Sequence, residues 1–143
     1  MLPRFVLLLS YTGLIPFLIG PAWMTLAPAS VPPWLDHVWV AYVAMIAAFM
    51  AGTFWGFAMP ASEGPAGQIG IVIATVLMLA TWGASTLPLR GALIGLALVF
   101  ALQLLADFWR ERTLGEVEGY FRLRAILTVG ACVSIAWRWM LGG

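Results

Sequence analysis

QLLADFWRERTLGEVEGYFRLRAILT, residues 103–128, holds eight of the thirteen charged side chains of this 143-residue chain: Asp107, Arg110, Glu111, Arg112, Glu116, Glu118, Arg122 and Arg124. An apolar run flanks it on either side. It therefore reads as a polar elbow at the membrane surface between two spanning helices. With 63% hydrophobic and 9% charged residues, and a mean hydropathy of +1.00, the chain has too little polar surface to coat a soluble domain of its size. An all-α polytopic membrane protein is the expected fold class.

Counting outward from the elbow gives five spans, at about 5–26, 38–59, 68–87, 92–108 and 123–141, in one transmembrane domain covering 1–143. Short turn-forming connections separate them: PASVPPWLDH (28–37), PASEGP (60–65) and PLRG (88–91). The first run carries Pro16 and Pro21 and is followed by Ala27-Pro28-Ala29, which looks like a signal-peptidase site. The run is longer than a signal core and contains two prolines, so a first span is expected. Pro16 should kink it and free the carbonyl of Thr12, which a neighbouring helix or a hydroxyl must cover.

In the second run Ala44, Ala48, Gly52 and Gly56 recur every four residues and line one helix face, a pattern that admits close helix packing in lipid. In the third, Gly70 and Ala74 share a face, and the hydroxyls of Thr75, Thr81 and Ser85 are expected to bond their own helix carbonyls. In the fifth, Trp137-Arg138-Trp139 reads as an interfacial anchor, with the arginine snorkelling between two indoles. Arg4, Arg110, Arg112, Arg122 and Arg124 fall on one side of a five-span chain and Arg90 and Arg138 on the other. The positive-inside rule then makes the N-terminus and elbow cytoplasmic and the C-terminus periplasmic, in a bacterial inner membrane.

Composition also excludes activities. The net charge is +1, and acids interleave with the arginines of the elbow, so no nucleic-acid surface is expected. Cys132 is the one cysteine and lies in an apolar run, so neither a disulfide nor a thiolate metal cage can form within the chain. His37, the one histidine, cannot make a bis-histidine haem site and has only Asp36 beside it, which favours an exposed interfacial residue over a metal ligand. No nucleophile shares a segment with a base, no glycine-rich phosphate loop occurs, and no span carries paired carboxylates. No catalytic residue, metal or cofactor is therefore expected.

The polar residues closest to a span interior are Gln103, Asp107, Tyr120, Arg122 and Arg124. Two readings fit them. Asp107 and Arg124 form an ion pair locking the fourth span to the fifth, or Tyr11, Thr12, Trp55, Gln103, Asp107, Tyr120 and Arg124 converge on a cytoplasmic-side pocket for a lipid headgroup, a quinone or a small anion. The matching functions are a non-enzymatic accessory or assembly partner of other membrane-protein subunits, and a lipid or small-molecule binding or transport protein. Besides the lipid bilayer itself, the expected partners follow from these two.

YTGLIPF (11–17), FMAGTFWG (49–56) and Asp107 followed by YFRLR (120–124), Leu127 and Thr128 together resemble a family of small membrane proteins of unknown function. That family includes transmembrane protein 69 and many proteobacterial members, and the likeness extends over essentially the whole chain. Gly119 stands where other members carry a tryptophan. The resemblance implies a helical membrane protein with no established activity, cofactor or substrate.

Overall fold

The computed structural model describes residues 3–115 and 119–142; Glu116 and Glu118 of the elbow, and Gly143, lie outside the described residues. Six α-helices make five spans: α1 (Arg4–Thr12) and α2 (Ile15–Leu26) in tandem, then α3 (Leu35–Ala58), α4 (Pro65–Ser85), α5 (Leu89–Leu114) and α6 (Tyr120–Met140). Two short 3-10 turns, Pro28–Ser30 and Met59–Ala61, help to close the connections. Each span has the length and hydropathy needed to cross a bilayer. Their outer faces present large apolar side chains such as Leu8, Met45, Val72, Leu98 and Leu105, which suits lipid as the surrounding solvent. The chain is a multi-pass membrane protein.

The fourth span continues to Leu114, six residues past its expected end. Its last turns carry the charges of the elbow, and there Arg110 is buried under aromatic rings. Gly115 and Gly119 then turn the chain with φ of 109° and 80°, a backbone that side chains with a Cβ rarely adopt. A residue with a Cβ would be strained at either position.

The first span is kinked ahead of Pro16, where Gly13 and Leu14 keep right-handed helical dihedrals but the hydrogen-bond ladder is interrupted. Residues 13–14 form a turn between α1 and α2, and the hydroxyl of Tyr42 on α3 donates to the Gly13 carbonyl at 2.6 Å. A hydroxyl does cover the break, one residue beyond the expected Thr12. Pro21 creates a second gap, because it has no N–H to give the Phe17 carbonyl four residues back. The indole Nε1 of Trp39 donates to that carbonyl at 3.0 Å. Trp39 and Tyr42, three apart on one face of α3, thus satisfy what both breaks leave open.

The indole reaches Phe17 only because residue 20 is glycine: a Cβ there would stand 2.5 Å from the Trp39 ring. Trp39→Phe should leave the Phe17 carbonyl unpaired in an apolar interior, at a cost of about 1–3 kcal/mol. In a Pro21→Ala background residue 21 regains its own amide, so the same change should cost little. Unfolding the four chains in detergent measures this coupling. Additive losses would mean that the indole contributes packing alone.

Helix α3 is the hub, packing on α2, α4 and α5. Its buried face is Val43, Ala47, Met50, Ala51, Phe54 and Ala58, and the main core adds Phe17, Leu96, Phe100 and Ile135. The stripe expected to pack is rotated away from this face by about 100°, the turn between neighbouring helical residues. Ala44 and Ala48 are half-buried, but Gly52 and Gly56 are exposed and a Cβ at either would meet nothing within 4 Å. Within the chain the close approaches lie elsewhere, with Gly70 against Ala58 and Gly95 against Ala84. Gly70 and Ala74 do face the bundle, on the buried side of α4.

Candidate functional site

Gln103 and Asp107 are one turn apart on α5, a spacing that aims both at the same neighbours. Arg124, in the second turn of α6, meets them, and Met50 and Thr53 of α3 complete the set. The carboxylate of Asp107 accepts two bonds from Arg124, from Nε to Oδ2 at 2.8 Å and from Nη2 to Oδ1 at 3.1 Å. Nη1 donates to the Met50 carbonyl at 3.0 Å and to Thr53 Oγ1 at 2.7 Å, and Nη2 also reaches Gln103 Oε1 at 3.4 Å. A guanidinium has five N–H groups, so every one has an acceptor.

The surroundings hold these acceptors in place. Gln103 Nε2 donates to the Ala47 carbonyl at 2.7 Å, Thr53 Oγ1 to the Met50 carbonyl at 2.8 Å, and the Tyr120 hydroxyl to Thr53 Oγ1 at 3.3 Å. Asp107 is 0% exposed, Gln103 1% and Arg124 3%. A charge isolated at such a place would be costly; the fork and the carbonyls make the pair tolerable and tie three helices together. A saturated guanidinium beside its own counter-ion has no donor left for a lipid phosphate or a free anion.

The structure thus gathers Gln103, Asp107, Tyr120 and Arg124, and adds Thr53. Arg122 is exposed and makes none of these bonds. Tyr11 and Trp55 are each 40% exposed, and the Thr12 hydroxyl turns back to the Leu9 carbonyl. Arg110 is a buried member that the sequence reading placed only in the elbow: its guanidinium lies 4.6 Å from the Phe57 ring and 5.2 Å from the Tyr120 ring. Its Nη1 donates to the Gly115 carbonyl at 3.1 Å, closing the end of α5. Arg112 instead lies over Phe108 at 5.0 Å.

A second fork stands at the opposite end of the bundle. Arg138 Nε and Nη2 donate to Asp36 Oδ1 and Oδ2 at 2.8 and 2.9 Å, joining the last turn of α6 to the first of α3. Arg138 is 4% exposed and does not snorkel between its neighbouring indoles. Trp137 donates to Thr25 Oγ1 at 3.1 Å, and Trp139 receives Arg90 over its ring at 4.4 Å. Burial wins because a carboxylate at the start of α3 meets the guanidinium at matching depth. His37 is exposed, and among the described residues no three His, Cys, Asp or Glu side chains are grouped to hold a metal.

Beside the first fork lies a cavity of about 430 Å³ between α1, the start of α2, α3 and α6. Val6, Leu9, Phe17, Phe49 and Leu127 form apolar walls, and Ser10, Thr53, Tyr120 and Arg124 supply its polar groups. The helix that covers it, α1, has no buried residue of its own. A smaller depression of about 290 Å³ runs between α3 and α4, lined by Ala51, Gly52, Trp55, Ala74, Thr75 and Met78.

Residues 2–140 match the model of a family described as "Protein of unknown function (DUF3429)". The chain is also 32% identical over 145 residues to transmembrane protein 69 of Xenopus tropicalis, an alignment covering 93% of this chain and 53% of that protein. It therefore spans about half the length of this relative. No solved structure matches it. With every residue of the five spans inside the matched region, the chain belongs to the DUF3429 family of unknown function, alongside transmembrane protein 69.

Proposed function

We propose that this protein is a non-enzymatic accessory or assembly partner of a larger membrane complex, seated in a bacterial inner membrane. The elbow and the start of α1 face the cytoplasm and the end of α6 the periplasm, an orientation resting on five of the seven arginines. The observation that carries the partner reading is the outward stripe of α3. Gly52 and Gly56 gain nothing from lipid, and their neighbours leave open space over the backbone. Another protein's helix can approach to backbone distance there, with Trp55 and Met78 at the rim, and such close packing is what associates helices in lipid.

A photo-crosslinking residue placed at Gly56 or Thr75 in cells tests this. Discrete protein adducts are expected from both, and none from Ile94, an exposed position on α5. Lipid adducts alone at all three positions would contradict it. The cavity under α1 supports a second reading, binding of a membrane amphiphile. Its apolar walls sit beside a few hydroxyls, the composition usual for small-molecule sites, and its volume falls in their range of roughly 300–1,000 Å³.

A further inference from the structure

The amphiphile-binding reading can be taken to a ligand class, because the polar part of the cavity under α1 has a definite charge and donor pattern. Arg124 borders it, yet the positive charge is cancelled by Asp107 and all five N–H groups are spent. An anionic head placed there would lose its hydration and gain no donor, so the site selects against phosphate and carboxylate. What remains are hydroxyls. Thr53 Oγ1 is occupied on several sides, but the Tyr120 hydroxyl makes only a long 3.3 Å bond and can turn to a better acceptor, and Ser10 lies on the same cavity.

The head that fits is thus uncharged and accepts hydrogen bonds. Four aromatic rings, Phe5, Phe17, Phe49 and Tyr120, favour a planar one. The route of entry points to a lipid-borne molecule: Phe49 is 69% exposed at the cavity and Leu9 is 56% exposed on a helix with no buried residue, so the walls open to the bilayer. We propose that this cavity binds the ring of an isoprenoid quinone, with a ring carbonyl accepting from Tyr120 or Ser10 and the chain running out past α1 into lipid.

The assignment rests on the amphiphile-binding reading, and one set of titrations separates the two. The intact chain in phosphatidylcholine nanodiscs is titrated with decyl-ubiquinone, dioctanoylglycerol and a short-chain phosphatidylglycerol. Saturable binding of the quinone at one per chain is expected, weakened at least tenfold by Leu9→Trp, which fills the cavity from a helix that contributes nothing to the core. Leu8→Trp, on an exposed residue outside the cavity, should change nothing. Tyr120→Phe should weaken quinone binding about fivefold, the worth of one hydrogen bond near 1 kcal/mol. If dioctanoylglycerol or phosphatidylglycerol binds as tightly as the quinone and is equally sensitive to Leu9→Trp, the cavity takes an amphiphile and the quinone assignment is wrong. If no probe responds to Leu9→Trp, both the assignment and the reading beneath it fail.

Discussion

Asp107→Ala is expected to cost about 3–5 kcal/mol of folding free energy, the range for removing one partner of a buried ion pair. The loss arises because Arg124 stays 3% exposed between α3, α5 and α6 with its charge uncancelled. Replacing both members with apolar residues, Asp107→Leu with Arg124→Met, should be less damaging than either single change, since no charge is then left in the interior. Exchanging the charges, Asp107→Arg with Arg124→Asp, should recover less than the apolar pair. Three of the five contacts of Arg124, to Met50, Thr53 and Gln103, have acceptors that do not move with the carboxylate. Unfolding in mixed micelles of rising SDS content measures each of these chains against the parent. A loss below 1 kcal/mol for Asp107→Ala would mean that the fork does not hold the bundle. The fork at Asp36 should matter less, because that carboxylate is 38% exposed and water can hydrate it when Arg138 is removed.

The five spans and the elbow were legible in the sequence because hydropathy over some twenty residues is a strong signal in a chain with thirteen charges. The meeting of Asp107 with Arg124 was legible for a related reason: helices joined by a short turn run antiparallel, so residues near the turn share a depth. Thr53 was hidden because it comes from a helix far off in sequence, and a threonine within an apolar run announces no partner. Arg138 was misread for a local reason. Flanking tryptophans suggest an anchor, whereas the deciding partner, Asp36, lies 102 residues away. Which small-residue line of α3 packs within the chain was hidden for another reason. Ala47, Ala51 and Ala58 form a second small-residue line beside Ala44, Ala48, Gly52 and Gly56, and spacing alone does not say which line faces the bundle.

Gly20→Leu should be among the most damaging single changes, and Gly52→Leu among the mildest. At residue 20 a Cβ would stand 2.5 Å from the Trp39 ring, and moving the indole breaks its bond to Phe17. Overpacking and an unpaired carbonyl together amount to a loss on the order of 3 kcal/mol. At residue 52 the space is open, so the purified chain should unfold at the same point as the parent. Equal stability of the Gly20→Leu and Gly52→Leu chains in detergent would overturn this account of the packing.

The same contrast leads to the central claim, that the outward face of α3 receives another membrane protein. The most direct measurement is quantitative mass spectrometry of proteins co-purifying from the native membrane with the parent chain and with the Gly52→Leu, Gly56→Leu double variant. One or a few membrane proteins are expected at near-stoichiometric yield with the parent, and their loss from a variant of unchanged stability. The same proteins at the same yield with both chains, or lipid alone with the parent, would contradict it.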